Sequence, residues 1–287
     1  SDTIEIVEYA RKNRFTVSLL TTGTVGLNIG IADRLADLSL ETLELSVYSS
    51  DPEIHDSITQ ANGSFSKTIR TVKQLSESDI NIVFKCPLTK KNGDSFQGVK
   101  ELADSFGASV SFSPYITESK EVRRDLTSLR PSDRQLKEFF DFKNKIETDH
   151  ENHQKEKTGE KNEFSASSCD DSPSHYPCGA SHTSCYISPY GDVQPCSAIP
   201  IKCGNIKETP FKEIWENSRE MEEVREIQVE DLEKCSDCPN TGYCHRCIGQ
   251  SYVEHGSLLS PWQEKCRQEK IRHKMREVND SGEEKVR

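Results

Sequence analysis

The chain has 287 residues, of which 37 are basic and 48 acidic, so its net charge is −11. At ~150 residues per domain this length predicts about two domains, and the acid excess argues against a nucleic-acid partner, because phosphate recognition draws on surplus Lys and Arg. No apolar run approaches the ~18 residues of a membrane-spanning helix, and the first residues lack the basic and apolar segments of a secretory signal. The sequence therefore predicts a cytoplasmic chain without a membrane partner.

Residues 1–113 alternate between two periodicities that are typical of βα units. Four short apolar runs predict strands, at residues 15–20, 42–47, 80–86 and 108–112. Three amphipathic segments between them predict helices, at residues 31–38, 64–75 and 96–107, the last with Gly107 as a left-handed C-cap. Strict alternation predicts an α/β fold with a parallel sheet, either a TIM-like barrel or a doubly wound sheet, with ligands at the carboxyl ends of the strands.

A longer amphipathic segment predicts a helix at residues 132–146, with Ser132 as its N-cap. Residues 148–175 contain one large apolar residue, Phe164. Such a segment buries too little surface to offset the entropy lost on ordering. We therefore expect an α/β domain at residues 1–147, a polar linker at 148–177 and a cysteine-rich domain at 178–287, which ends in a helical tail.

Cysteine is concentrated in the second half, where ten of the eleven lie between Cys169 and Cys266. Eight form a compact pattern with two CxxC pairs: Cys178, Cys185, Cys196, Cys235, Cys238, Cys244, Cys247 and Cys266. A two-residue gap lets a tight turn direct both sulfurs at one metal, so the pattern predicts two four-thiolate sites in preference to disulfides or inert core thiols. A hairpin at residues 186–196, turning at Gly191, would place Cys196 at its end.

The spacing leaves the choice between zinc and iron open, since tetrahedral thiolate sites suit both. Three cysteines stand outside the pattern. Cys86 lies in a predicted strand and is expected to be a buried, small apolar residue. Cys169 in the polar linker is expected to be a free thiol, and the role of Cys203 stays open.

The order of residues in the second half resembles the SPASM domain, the auxiliary-cluster module of many radical S-adenosylmethionine (SAM) enzymes. The resemblance rests on CGASHTSCYISPYGDVQPC from Cys178, CGNIKETPFKEIWENS from Cys203 and CSDCPNTGYCHRCIGQSYVEHGSL from Cys235, with Cys266 as the last cysteine. One departure is the final gap of the quartet, which has two residues where three is common. A CxxC followed by a Gly and a helix resembles the branch near coenzyme-PQQ synthesis and peptide maturation.

The first half resembles the partial (β/α)6 barrel of the same enzymes, from the third strand to the sixth. SLLTTGT from Ser18 resembles the third-strand segment, with Thr22 in place of the usual Asn, and LSVYSSDPEIHDSITQANGSFSKTI from Leu45 resembles the fourth strand and its loop. The family's CxxxCxxC loop, which holds the catalytic cluster, and its Gly-Gly-Glu segment have no counterpart in the sequence. We therefore expect either a truncated parent or a naturally shortened form.

The resemblance implies two auxiliary [4Fe–4S] clusters. The first would be held by Cys178, Cys185, Cys196 and Cys247, and the second by Cys235, Cys238, Cys244 and Cys266. It also implies that Ser46, Ser49, Lys85 and Asn92, at the ends of the fourth and fifth strands, face SAM in the intact parent. The alternative is that these four are ordinary polar residues at strand ends.

By the same resemblance, the intact enzyme would use SAM to generate a 5′-deoxyadenosyl radical that abstracts hydrogen from a peptide or protein. The auxiliary clusters would accept the remaining electron or position the substrate, and a ferredoxin or flavodoxin would supply electrons. The chain is thus predicted to be the C-terminal portion of a peptide-modifying radical SAM/SPASM oxidoreductase. Two alternatives are a non-catalytic iron–sulfur protein that transfers electrons or binds peptide, and a structural zinc module.

Overall fold

The computed structural model describes residues 2–24, 34–76, 78, 80–117, 126–158, 176–235, 237–240 and 244–283. The chain divides into two compact units. Unit 1 comprises Ser1–Ile116 and Ser128–Lys145, and unit 2 comprises Thr117–Thr127 and Ile146–Arg287. The expected three-segment division stays a prediction, since most of the predicted linker, with Cys169 and Phe164, lies outside the described residues.

Unit 1 is built on a parallel sheet of four strands, β1 (Ser18–Thr21), β2 (Thr42–Ser46), β3 (Ile82–Pro87) and β4 (Ser109–Ser113). The strands follow one another across the sheet in chain order. A doubly wound sheet reverses its order at a switch point, whereas a barrel winds in one direction. The α/β prediction is therefore confirmed, and the strand order matches the partial barrel rather than the doubly wound alternative.

The helices described in unit 1 are α1 (Thr3–Lys12), α2 (Pro52–Thr59), α3 (Ser64–Leu75) and α4 (Phe96–Asp104), and residues 34–37 are also helical. Helix α5 (Asp133–Thr158) begins in unit 1 and continues into the residues assigned to unit 2. These helices contribute apolar side chains to a core that includes one face of the sheet. Leu45 and Phe84 from the strands are buried, as are Leu75 of α3, Val99 of α4 and Leu136 of α5. Cys86 is fully buried on the same face, which confirms the expectation for this residue.

The opposite face of the sheet is polar and partly exposed. Burial alternates along β2 and β3, so that Glu44, Ser46 and Lys85 lie on this face while their neighbours are buried. Ser111 of β4 lies directly opposite Lys85. A polar, solvent-accessible face on a sheet whose other face forms the core leaves this surface available to a ligand.

The start of α5 follows the prediction, but its end does not. Ser132 and Gln135 form a capping box, in which the Gln135 N–H donates to Ser132 Oγ at 3.3 Å and the Ser132 N–H donates to Gln135 Oε1 at 3.0 Å. The helix then continues to Thr158, beyond the predicted end at residue 146. The added residues are mostly Glu, Lys, Gln and His, and propagating an existing helix costs little even without apolar partners.

Two further differences lie near strand ends. β1 begins at Ser18, and Phe15, predicted as strand, is exposed before it. Helix α2 lies after β2, in the segment that the sequence predicts as a loop. It begins with Asp51 as N-cap, whose carboxylate accepts the Glu53 N–H at 2.8 Å, followed by Pro52 in the first turn. Asp-Pro is a recognised helix-start signal, so the sequence contained the information.

Unit 2 has short elements and small apolar clusters. An antiparallel sheet joins β5 (Tyr186–Ile187), β6 (Asp192–Gln194) and β7 (Gly204–Asn205). The helices are α6 (Phe211–Asn217), α7 (Arg219–Arg225), α8 (Ile248–His255) and α9 (Gln263–Glu283), with 3-10 turns at Val229–Asp231 and, at the boundary with unit 1, Thr127–Leu129. No helix in the described part of the chain has the length and apolar composition needed to cross a bilayer.

The sequence of residues 210–223 predicts one short helix, and the structure breaks this helix in two. Ser218 has an extended backbone, with φ −71° and ψ 126°, and its hydroxyl accepts the Met221 N–H at 3.4 Å. Ser218 therefore ends α6 and caps α7. After the break, α7 places the side chains of Met221 and Val224 in the interior, where both are buried.

Candidate metal centres

All eight cysteines predicted as ligands lie in unit 2 and are half-buried. The ten cysteines within the described ranges are free thiols, so the pattern does not resolve into disulfides there. Sulfur donors of this kind suit zinc and iron–sulfur clusters alike. The possible metal sites therefore depend on which thiols lie close to one another.

The hairpin β5–β6 carries Cys185 before its first strand and Cys196 after its second. Gly191 forms the turn at φ +91°, and a Cβ there would lie 2.9 Å from Asn205 Oδ1, so the position requires glycine. The predicted hairpin is confirmed. Beyond β6, the Ala198 N–H donates to Cys196 Sγ at 3.2 Å.

Cys178 and Cys185 pack against different apolar clusters. Cys178 packs, with Cys196 and Cys235, against a cluster formed by Ala180, Ile199, Val224, Leu232 and Ile248. Cys185 packs beside Cys203 against Val193, Ile214 and Met221. Burial is the main cause that raises the pKa of Cys203 to about 11, and the neighbouring Cys185 adds to it. Cys203 is thus a neighbour of one predicted ligand.

Cys247 lies far from Cys196 in sequence but beside it in the fold. It is the N-cap of α8, and Gly249 in the first turn packs so closely on Ala198 that an added Cβ would lie 2.7 Å from the Ala198 Cβ. Burial, and then the Cys196 thiol, raise the pKa of Cys247, while the first backbone N–H groups of α8 oppose the rise. The absence of a side chain at Gly249 allows this approach.

The second group gathers around the start of α9. Cys235 and Cys238 share a turn in which the Cys238 N–H donates to the Cys235 carbonyl at 3.3 Å. Burial, followed by the thiols of Cys235 and Cys238, raises the pKa of Cys266. Burial likewise raises the pKa of Cys244 to about 11, with a contribution from Cys266. Cys266 is therefore a neighbour of each of the other three.

A small cavity of about 30 Å³, partly open to solvent, lies beside four of the thiols. Its lining includes four cysteines, Cys235, Cys244, Cys247 and Cys266, so Cys247 faces the second group as well as Cys196. Within the described ranges, no three Cys, His, Asp or Glu side chains are close enough to hold a single metal ion. Four thiols line this cavity, and their soft donor chemistry suits zinc or an iron–sulfur cluster.

Three charged residues that spacing did not single out lie beside these thiols. Arg246 and Lys265 line the cavity, and Lys265 Nζ is 3.0 Å from Glu269 Oε1. Lys265 lowers and Glu269 raises the pKa of Cys244, both as smaller effects than burial. The one available signal was the position of Lys265 next to Cys266; the alternating charges of QEKCRQEK otherwise read as a solvated helix face.

The four residues predicted to face SAM fall into two pairs in unit 1. Ser46 and Lys85 lie opposite each other in the register of β2 and β3, on the polar face of the sheet. Lys85 Nζ is 3.3 Å from Glu44 Oε2, in a partly exposed ion pair. This pair is accessible to a ligand.

Ser49 and Asn92 are buried in the loops that follow β2 and β3. Ser49 Oγ accepts the Asp51 N–H at 3.0 Å and lies 3.1 Å from Ser95 Oγ. The Asn92 amide donates to the Tyr48 and Pro87 carbonyls at 2.7 and 3.0 Å and accepts the Thr89 N–H at 2.7 Å. Both side chains therefore hold loop backbone, and their contact with SAM stays a prediction.

Comparison with known proteins covers both halves of the chain. The SPASM family, described as an iron-sulfur cluster-binding domain, matches residues 178–239. The AdoMet-dependent heme synthase of Methanosarcina barkeri is 26% identical over 90% of this chain and 76% of its own length. The subtilosin biosynthesis protein AlbA of Bacillus subtilis is 26% identical over 85% of this chain and 52% of its own.

Among solved structures, SuiB of Streptococcus suis is similar in fold, with a TM-score of 0.66 and 15% identity. The match covers 90% of this chain and 62% of SuiB. The chain thus spans between about half and three quarters of the length of these proteins. The SPASM match lies in the cysteine-rich half and the relatives match across both halves, so the chain carries a SPASM domain and is similar to radical SAM/SPASM enzymes.

Proposed function

We propose that the chain forms part of a radical SAM enzyme that modifies a peptide, with unit 2 holding two [4Fe–4S] clusters. The observation that carries the proposal is the proximity of half-buried thiols in unit 2, where Cys247 lies near Cys196, and Cys266 lies near Cys235, Cys238 and Cys244. Relatives support the peptide substrate: AlbA is named for the bacteriocin subtilosin, and SuiB has been solved with its precursor peptide SuiA.

Each predicted cluster has a role for this chain's own residues. The first set would be Cys178, Cys185, Cys196 and Cys247, with the Ala198 N–H donating to one sulfur. The second would be Cys235, Cys238, Cys244 and Cys266, beside Lys265. When bound, such clusters pass single electrons, at potentials set by charge, burial and hydrogen bonds to sulfur. The protein's part is to bind them, to limit water and to place charge beside them.

On unit 1, the polar face of the sheet is the surface offered to SAM. SuiB has been solved with SAM bound, and in this chain Ser46 Oγ and the Lys85 ammonium are the predicted cofactor-binding groups that lie on the accessible face. Ser49 and Asn92 would act indirectly, by fixing the loops at the carboxyl ends of β2 and β3. A ferredoxin or flavodoxin is the proposed electron donor.

A second candidate substrate comes from the heme synthases. The match covers more of the Methanosarcina barkeri enzyme's own length than of AlbA. A heme precursor, in place of a peptide, would then be the molecule that faces the sheet. Titration of the purified chain with a porphyrin separates the two, because a bound porphyrin changes its visible absorption and a peptide-specific surface leaves it unchanged.

Iron, zinc and sulfide content, with an absorption spectrum after anaerobic reconstitution, tests the cluster proposal. We expect about eight irons per chain, as two four-iron clusters require, and a broad visible band that dithionite bleaches. Cys238→Ser and Cys247→Ser should each remove about half of the iron, because each predicted cluster has four thiolate ligands. Cys86→Ala is the matched control, since this thiol is buried in unit 1 and should leave iron unchanged.

Two outcomes would contradict the proposal in different ways. About two zincs and no visible band would indicate a zinc-stabilised module. Loss of all iron from either single cysteine variant would argue against two separate sites. A non-catalytic iron–sulfur protein would keep full iron and differ from the enzyme only in failing to cleave SAM.

A further inference from the structure

The first two turns of α9 bury an unusual number of polar side chains. Glu264, Lys265, Gln268 and Glu269 are all more than nine-tenths buried. Glu264 is satisfied within the helix, since it accepts from Arg267 Nη1 at 2.9 Å and from Gln268 Nε2 at 2.8 Å. Burying a charge costs several kcal/mol unless it is paired, so the remaining pair, Lys265 and Glu269, calls for a reason.

Lys265 and Glu269 form a buried ion pair, one helical turn apart. Lys265 Nζ lies 3.0 Å from Glu269 Oε1, and the two side chains are 7% and 2% exposed. Arg272 Nη1 lies 3.6 Å from the same oxygen. Neither Glu269 oxygen completes a well-oriented hydrogen bond with any residue in the described ranges. The geometry thus holds charges close together without the hydrogen bonds that usually stabilise a buried carboxylate.

The pair lies against the second group of thiols. Lys265 lines the same cavity as Cys235, Cys244 and Cys266, and it directly precedes Cys266 in the first turn of α9. Both charges are close enough to Cys244 to act on its sulfur in opposite senses. Because the pair is buried, solvent and salt screen these charges weakly.

We infer that the Lys265–Glu269 pair sets the reduction potential of the cluster at Cys235, Cys238, Cys244 and Cys266. The inference rests on the proposed function, because it requires that cluster to form. One-electron reduction adds one negative charge to the cluster and breaks no bond, the electron coming from the donor protein or from dithionite. The Lys265 ammonium stabilises the added charge and so raises the reduction potential. The Glu269 carboxylate holds the ammonium in place, and its own negative charge lowers the reduction potential.

Redox titration of the reconstituted full chain, followed by electron paramagnetic resonance, tests this inference. The signal to follow is the one lost in Cys266→Ser. Lys265→Met should shift its midpoint to a more negative potential, and Glu269→Gln to a more positive one. Lys265→Arg, which keeps the charge, should remain closest to the wild type. Lys212→Met is the control, since Lys212 lies on α6 with its side chain 83% exposed.

Iron and sulfide counts, made on each variant before the titration, separate the possible failures. A wild-type chain that assembles no cluster would overturn the proposed function and this inference with it. Clusters at full occupancy whose potential is the same in Lys265→Met, Glu269→Gln and wild type would overturn the inference alone. So would shifts of equal sign in Lys265→Met and Glu269→Gln, or an equal shift in Lys265→Arg and Lys265→Met, because packing and not charge would then be responsible.

Discussion

His55 is a titratable residue that the interior of unit 1 holds neutral. Its Nδ1 accepts the Tyr48 N–H at 3.2 Å, and its ring lies 5.5 Å from the rings of Tyr48 and Phe65. Burial lowers its pKa, and the neighbouring Asp56 opposes the shift. Because this interior accommodates the neutral imidazole, protonation must work against folding.

We therefore expect the free energy of unfolding of unit 1 to fall as the pH drops below about 6.5, the ordinary pKa of histidine. In that range the unfolded chain binds a proton that folded His55 does not bind, so the unfolding free energy rises with pH. The contribution of His55 is complete above about pH 6.5, and it decreases as the pH falls towards the lowered pKa of the folded state. Urea unfolding between about pH 5 and pH 7.5 measures the slope. His55→Gln should reduce it and the control His273→Gln should not; an unchanged slope in His55→Gln contradicts this account.

At the residue scale, the eight cysteines stay predicted ligands, and the charges beside them could not be predicted. Spacing alone identified the eight thiols, because short gaps between sulfurs are a local property of the chain. Lys265 and Glu269 belong to a helix whose alternating charges look solvated, yet both side chains are buried. Burial that comes from distant segments leaves little trace in local sequence.

At the scale of single elements, the start of α8 carries a testable constraint. Gly249→Ala adds a Cβ only 2.7 Å from the Ala198 Cβ, and that neighbour has no flexible end that could move away. The gain in helix propensity is about 1 kcal/mol, while overpacking costs about 1–3 kcal/mol. We expect the clash to dominate, with a net loss of about 1 kcal/mol in unfolding free energy.

Denaturant unfolding together with iron content checks this expectation. Displacement of α8 should move Cys247 from Cys196, so Gly249→Ala should also bind less iron than wild type. His255→Ala changes the exposed end of the same helix and should alter neither quantity. Wild-type stability and iron in Gly249→Ala would show that the approach of α8 to Ala198 is not required.

Helices were predicted well where the spacing of apolar residues and the capping residues at the helix ends indicated the same boundaries. Helix α3 occupies the predicted residues, and Gly107 adopts φ +65° just beyond α4, as the C-cap prediction required. The break at Ser218 was missed, because the helical period continues through it and an extended serine has no periodic signature. Tertiary packing of Met221 and Val224 selects two short helices over one.

At the scale of the whole molecule, the two units differ in how much core each provides. Unit 1 buries long apolar side chains from β2, β3 and the helices, whereas the described residues of unit 2 form two small apolar clusters against which cysteines pack. Small domains of this kind commonly depend on bound metal for stability. We expect removal of iron to destabilise unit 2 far more than unit 1.

Calorimetry before and after iron removal measures this difference. The transition of unit 2 should move to lower temperature or disappear, and the transition of unit 1 should keep its midpoint. Cys86→Ala provides the comparison, since it perturbs unit 1 and leaves the iron ligands intact. A single transition that shifts as one after iron removal would show that the two units unfold together.

The contact between Cys196 and Cys247 also bears on when the molecule can mature. About fifty residues separate the two thiols, a gap whose closure costs chain entropy that grows only slowly with length. During synthesis, Cys178, Cys185 and Cys196 leave the ribosome well before Cys247 exists. A site that requires all four must therefore wait until Cys247 has been synthesised, and iron offered earlier would meet an incomplete set of ligands. Loading of this site thus follows synthesis of Cys247 and cannot begin with the three upstream thiols alone.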